Sequence, residues 1–328
     1  MEIKTDADLS TDFIRDRTVA IIGYGNQGHA HALNLRDSGV TVLVGARAGG
    51  VSRERAVQAG FQVADAAEVA NDADVVMLLV PDEEMPEVFS RIEPTLRPGH
   101  ALAFGHGFAI RFGTVQPPKH VDVIMAAPVG PGHLLRSRFV AGGGIPVVIA
   151  VHQNVTQRAW PLARSYAAAL GGGRAGVLET TFREECETDL FGEQAVIVGG
   201  VRALMEAGFE TLVDAGYPEE LAYFECVHQM KLLVDLVHAH GIAGMRERIS
   251  RTAAFGELTR GDRVIDGHVR HRMKQILDDI RSGRFADNWT AEHDAGQPEL
   301  RRSVEAKRRS RLERVGARLR ALMAGSRP

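Results

Sequence analysis

The chain has 328 residues, of which 45% are apolar and 25% charged, and a formal net charge of −3. That length favours two domains of roughly 150 residues each, and the composition excludes a disordered or fibrous chain. The slight acidity excludes a globally basic nucleic-acid binder. Only two cysteines, Cys186 and Cys226, are present, which excludes a disulfide scaffold and a four-cysteine zinc site and fits a reducing, cytoplasmic setting. The first residues show no basic segment followed by an apolar one, so no signal peptide is expected. The longest apolar runs fall far short of the roughly 20 residues of a membrane span, so no membrane partner is expected either. One number is unusual: 35 glycines, about 11% against a background of roughly 7%.

From Thr18 to Val151, short β-branched runs alternate with stretches of helical period, the pattern of a parallel sheet with crossover helices. Strands are predicted at Thr18–Ile22, Thr41–Val44, Val75–Val80, Ala101–Phe104, Val121–Met125 and Pro146–Val151. Helices are predicted at Gly28–Ser38, Arg53–Ala59 and Glu84–Ile92, the last after the Pro81-Asp82 start signal. Gly171-Gly172-Gly173 interrupts this pattern, and beyond Arg183 strand signals nearly vanish. The expected domains are 1–181, a doubly wound α/β sheet, and 182–328, all helical. Glu187–Ala207 and Pro218–Ala239 read as buried helices with apolar residues on several faces. The arginine-rich tail 301–320 reads as an amphipathic helix, because Leu312, Val315, Leu319 and Leu322 follow 3-4-3 spacing and no aromatics interleave. No nucleic-acid partner is therefore expected.

The first strand runs into Gly23-Tyr24-Gly25-Asn26-Gln27-Gly28, a G-x-G-x-x-G followed by a helical pattern. Gly23 permits the tight turn, Gly25 lets the backbone approach a pyrophosphate, and Gly28 lets the helix pack on the strand. The helix N-terminus adds backbone N–H donors for the phosphates. At the end of the second strand, where an NAD site places a carboxylate, stands Arg47, with Ser52 and Arg53 following. These suit the 2′-phosphate of NADP(H).

Further on, Asp189 and Glu193 are spaced i, i+4 on a predicted helix. Their mutual repulsion would be relieved by a hard divalent cation such as Mg²⁺, which takes a few carboxylates together with waters and substrate oxygens. Glu225 and Gln229 repeat the spacing, and Glu225, on a helix expected to be buried, needs a partner.

These residues together make the chain resemble the short form of the ketol-acid reductoisomerase family over nearly its whole length. Gly23–Ala32, Pro81-Asp82-Glu83, His106-Gly107-Phe108, Gly130-Pro131-Gly132-His133, Glu187–Gln194, Tyr223–Cys226 and Ile249-Ser250 carry the resemblance. It implies a Rossmann domain followed by a knotted all-helical domain, NADPH and Mg²⁺ as cofactors, and a homodimer or higher homo-oligomer that shares its active sites between subunits. By the same resemblance Asp189 bridges two Mg²⁺ ions, Glu193 binds one, and Glu225 comes from the partner subunit. Ser250 holds the substrate carboxylate and His106 lies near the nicotinamide. Pro81, Asp82 and Gly132 join the nucleotide site.

The chain also departs from the family pattern. Val129 stands where the family has lysine, Gln229 where it has a second glutamate, Ala109 for asparagine and Ala254 for glutamate. Losing the lysine removes a donor and a positive charge, and losing the glutamate removes a possible base, whereas alkyl migration needs a proton taken from the substrate hydroxyl. Reduction needs only a positioned nicotinamide and a polarised carbonyl. The expectation is therefore a divergent NADPH-dependent oxidoreductase that reduces a 2-oxo acid or related imine with weakened or lost migration. The alternatives are an ordinary Mg²⁺-dependent ketol-acid reductoisomerase acting on 2-acetolactate, and a non-catalytic NADPH-binding protein.

Overall fold

The computed structural model of the chain describes residues 2–325. They form two compact units, one ending at Thr188 and the other beginning at Asp189.

The first unit is built on a nine-stranded sheet: β1 (Ile3–Lys4), β2 (Thr18–Ile22), β3 (Thr41–Gly45), β4 (Gln62–Ala64), β5 (Val75–Leu78), β6 (Ala101–Phe104), β7 (Asp122–Pro128), β8 (Val147–Gln153) and β9 (Val177–Thr180). Its order is β1-β9-β8-β7-β6-β5-β2-β3-β4. Pairing is parallel from β4 through β7, so the chain winds outward from β2 to β4 on one side and from β5 to β7 on the other. This reversal opens a crevice between the carboxyl ends of β2 and β5, the place where doubly wound sheets bind ligands. Period-2 alternation explains why both faces are covered. Val19, Ile21, Val75, Met77, Ala101 and Ala103 point into one core layer, and Ala20, Ile22, Val76, Leu78, Leu102 and Phe104 into the other.

All six predicted strands are present. The expectation of purely parallel pairing fails at β8, which returns antiparallel to β7 with a register shift at Val123/Ile124. β1, β4 and β9 are further strands the alternation did not mark.

Helices of this unit are α1 (Asp12–Arg15), α2 (Asn26–Asp37), α3 (Val51–Gln58), α4 (Ala66–Asn71), α5 (Met85–Ile92), α6 (Phe108–Arg111), α7 (Gly132–Val140), α8 (Ala159–Ala169) and α9 (Phe182–Phe191), whose last turn passes into the second unit. The boundary expected at residue 181 falls where α9 begins. Phe182 and Cys186 are buried, and Phe182 joins the core of the sheet, so the first turns of α9 belong to that unit.

In the second unit, α9 runs into a π-helical stretch, Gly192–Ile197, before α10 (Gly199–Asp214). The second predicted helix likewise divides into α11 (Glu219–Tyr223), a π-helical stretch Phe224–His228, and α12 (Gln229–Arg246), which breaks again at Gly241. Then follow α13 (Arg251–Val264), α14 (Gly267–Ser282), α15 (Arg284–Asp294), α16 (Pro298–Arg308) and α17 (Arg311–Gly325).

The expectation that Glu187–Ala207 and Pro218–Ala239 are buried all round is corrected. Val196, Ile197, Val198, Leu204, Leu221, Leu232 and Leu233 are exposed, so apolar residues on several faces do not here mean burial on all of them. Glu225 is accordingly exposed, and its carboxylate accepts a hydrogen bond from Gln229 Nε2 at 2.8 Å.

The tail forms two helices where one was expected. Val315 and Leu319 of α17 pack with Phe209, Val213, Ala222 and Tyr223, while Leu322 stays exposed. Its basic residues pair with acids of α10 and α11: Lys307 with Glu206, Arg311 with Glu219 and Arg318 with Glu220.

Candidate active site

The glycine turn closes at the end of β2. Gly23 has φ +97°, and a Cβ there would lie 2.6 Å from the Leu79 carbonyl oxygen, so a side chain is excluded both by conformation and by space. A Cβ on Gly28 would stand 1.9 Å from the Gly23 carbonyl oxygen, which shows how closely α2 lies on the turn that precedes it. Gly25, the N-cap of α2, has nothing within 4 Å of a Cβ position. The first and third glycines are thus demanded by the protein's own packing, and the second faces open space.

A second helix N-terminus joins the first. Gly132, opening α7 after Pro131, would place a Cβ 1.9 Å from the Asn26 carbonyl oxygen, and Gln27 Nε2 donates to the Gly130 carbonyl at 2.9 Å. Two helix N-termini with unsatisfied N–H groups therefore meet at one rim. That cradle, filled by any added Cβ and open only over Gly25, fits a dinucleotide pyrophosphate.

Other predicted nucleotide residues divide. Tyr24 is 1% exposed, and its ring packs against His29 and Phe61, so only its backbone is left to face a ligand. Arg47 is exposed near the end of β3, with Nη2 3.8 Å from Glu84, and Ser52 lies in the first turn of α3. Arg53, expected as a further phosphate ligand, instead donates to the Ala46 and Val63 carbonyls and lies 3.6 Å from Asp65, holding the loop in shape. Pro81 and Asp82 follow β5 beside the crevice. His31 is fully buried with Nδ1 3.0 Å from the Tyr166 hydroxyl, and burial lowers its pKa to about 3.

His106 follows β6, and here the structure supplies a residue that sequence reasoning missed. Glu185 on α9 places Oε1 3.0 Å from His106 Nδ1, while its Oε2 accepts the Gly107 amide at 2.7 Å. Burial opposes a charge on His106, but the hydrogen bond with Cys186, the hydrogen bond and charge of Glu185, and the charge of Asp82 outweigh it, and its pKa is pushed up to about 11. The imidazole is therefore a cation at neutral pH. Burial raises the pKa of Cys186 and keeps it a thiol. Next to this pair Arg111 donates Nε–H to Glu187 at 2.9 Å. A signal for Glu185 existed: it stands four residues before Asp189 and so shares its helical face.

In the helical unit, Asp189 lies in the last turn of α9 and Glu193 in the π-helical stretch that follows, so the one-face reading of i, i+4 spacing gives way to a wider turn. Glu225 also lies in a π-helical stretch. Such wide turns in helices occur frequently at functional sites. Carboxylates at Asp189 and Glu193 are the donor chemistry Mg²⁺ takes, with waters and substrate oxygens completing its shell. Ser250 is the N-cap of α13, and its Oγ accepts from the Ala253 amide at 3.1 Å, which leaves the hydroxyl proton to donate to an anion.

Residues 13–176 match the acetohydroxy acid isomeroreductase NADPH-binding domain, and residues 182–325 match the ketol-acid reductoisomerase C-terminal domain. The chain belongs to the ketol-acid reductoisomerase family. It is 52% identical to the ketol-acid reductoisomerase (NADP(+)) of Saccharopolyspora erythraea over 324 residues, 98% of each chain. It is also similar to the solved structure of an NADH-preferring ketol-acid reductoisomerase from an uncultured archaeon. There the identity is 44% and the TM-score 0.96, with 98% of this chain and 99% of that one covered. A semialdehyde dehydrogenase NAD-binding protein from Cupriavidus necator shares the fold at 19% identity and TM-score 0.61, covering 81% of this chain and 99% of that one.

As a ketol-acid reductoisomerase, the enzyme is an NADP-dependent oxidoreductase, and the family's cofactors are NADPH and Mg²⁺. The expected loss of alkyl migration receives no support from these similarities, which run at full length through both Val129 and Gln229. The structure offers a physical reason for the substituted side chain at two positions. Where a second carboxylate would repel Glu225, Gln229 donates a hydrogen bond to it. Ala109 is 1% exposed within the core, where an apolar side chain leaves no polar group to satisfy.

Proposed function

We propose that the enzyme is an ordinary ketol-acid reductoisomerase that converts 2-acetolactate to 2,3-dihydroxy-3-methylbutanoate at the expense of NADPH, acting in the cytoplasm as a homodimer or larger homo-oligomer. The observation that carries this reading is the 52% identity over 98% of both chains, which leaves no domain of the NADP-dependent relative unmatched.

The N-termini of α2 and α7 would hold the pyrophosphate through Gly25, Asn26, Gln27, Gly28 and Gly132, with Pro81 and Asp82 at the rim. Arg47 and Ser52 would take the 2′-phosphate, aided by the N-terminus of α3. In this reading Mg²⁺ supplies Lewis-acid polarisation of the substrate oxygens and NADPH supplies the hydride. Asp189 and Glu193 would hold the metal, with Glu225 contributed by a second copy of the chain. Ser250 would donate to the substrate carboxylate. His106, kept protonated by Glu185, would present a positive charge and an N–H to an oxygen that gains negative charge. The exposed apolar residues of the π-helical stretch Gly192–Ile197 and of α12 and α13 are what a second copy would cover.

The test is turnover with 2-acetolactate, Mg²⁺ and NADPH, compared with the already rearranged 3-hydroxy-3-methyl-2-oxobutanoate. Both substrates are expected to yield the dihydroxy acid. Reduction of the rearranged acid without conversion of 2-acetolactate would overturn the proposal and restore the reading in which migration is lost.

A further inference from the structure

At the opposite rim of the sheet, where β2, β5, β6 and β7 begin, lies a cavity of about 290 Å³. Phe13, Arg17, Asp74, Asp122, Arg158 and Leu162 contribute to its wall. The loop that brings Arg158 there is constrained. Both oxygens of the buried Asp122 are taken by Thr156, through its amide and its hydroxyl. Asn154 Oδ1 accepts the Ala159 amide at 3.0 Å, and Gln157 adopts φ +62°, a conformation that residues with side chains seldom take.

Charge on this wall is unevenly used. Arg53, Arg111, Arg136 and Arg164 of the same unit all reach carboxylates. Neither Arg17 nor Arg158 forms an ion pair among the described residues, and the Arg17 guanidinium lies 5.4 Å from the centre of the Phe13 ring. Asp74 gives Oδ2 to the Thr18 amide at 2.8 Å, and its other oxygen has no hydrogen-bond partner among the described residues. Two cations, one half-used carboxylate and an apolar flank therefore share a space too small for a nucleotide.

We propose that this cavity binds a small zwitterion, an α-amino acid with a short aliphatic side chain. Arg17 and Arg158 take its carboxylate, Asp74 its ammonium group, and Phe13 and Leu162 its side chain. A simple carboxylate would leave Asp74 opposed to it, and a simple amine would meet two guanidinium groups, so only a ligand with both charges suits the wall.

Isothermal titration calorimetry of the full chain with L-valine, 3-methylbutanoate and isobutylamine tests this. L-valine is expected to bind saturably, and each single-charge analogue at least about tenfold more weakly. The double variant Arg17→Ala/Arg158→Ala should lose about tenfold or more in L-valine affinity while still binding NADPH, which shows that the unit remains folded. Asp74→Asn keeps an acceptor for the Thr18 amide and should weaken L-valine without weakening 3-methylbutanoate. Absence of L-valine binding up to about 50 mM, equal affinity for 3-methylbutanoate, or unchanged affinity in the double arginine variant would each overturn the proposal.

Discussion

The two units bury their apolar residues to very different degrees. In the first, both faces of the sheet are covered by the unit's own helices, and the residues that alternate along β2, β5 and β6 are almost wholly inaccessible. In the second, a small cluster around Phe209 and Tyr223 is the core, while Ile197, Val198, Ile242, Phe255 and Leu258 remain open to solvent. Exposed ion pairs such as Lys231–Asp235 do little to offset this, since such pairs contribute at most about 1 kcal/mol. The sheet unit thus buries its own apolar residues, whereas the helical unit leaves many of them exposed, the surface that the proposed assembly would cover.

Charging the open face should break the contrast most severely. Ile197, 66% exposed, is the position to change. Ile197→Glu is expected to yield a monomer in light scattering and to abolish turnover, while NADPH titration of the sheet unit is retained. An unchanged oligomer would show that this face is not an interface.

A smaller effect separates folding from binding inside the sheet unit. Gly28→Ala would drive a Cβ into the Gly23 carbonyl and should cost about 3 kcal/mol in denaturant melts. Gly25→Ala meets nothing, so its stability should stay near that of the parent while NADPH affinity falls about 10- to 100-fold, the value of one or two hydrogen bonds to a charged group. Equal loss of stability in both variants would refute the distinction between the glycines.

Much of the sheet unit was legible because its signals are local: β-branched runs set the strands, and the spacing of Gly23, Gly25 and Gly28 marks the phosphate turn. β1, β4 and β9 were not, since they have two to four residues and exist through pairing near the sheet's edges. The antiparallel return of β8 depends on pairing with β7, which no single run records. The acidic residues of the helical unit could be picked out, but not the π-helical turns that carry Glu193 and Glu225, because hydrophobic periodicity cannot tell a wider turn from a regular one. The spacing of Glu185 from Asp189 was visible, but its pairing was hidden for another reason. Its partner His106 is 79 residues away, and only the packing of α9 beside the loop after β6 unites them.

That long-range pair gives the smallest and most local prediction. A histidine whose folded pKa is raised from 6.5 to about 11 contributes stability that is fully present below its unfolded value and is lost as pH rises through its folded one. In the parent, the His106 proton should therefore persist from pH 6 to 9, and its imidazole NMR signals should not move in that window. Glu185→Gln removes the negative charge but keeps an amide able to hydrogen-bond, so burial becomes the dominant influence and pushes the pKa down. The variant's His106 should then lose its proton below about pH 7, and stability should no longer decline between pH 7 and 9 on account of this residue. If the parent's His106 signals titrate near pH 6.5, Glu185 does not hold the imidazole charged, and the assignment of His106 as a standing positive charge fails with it.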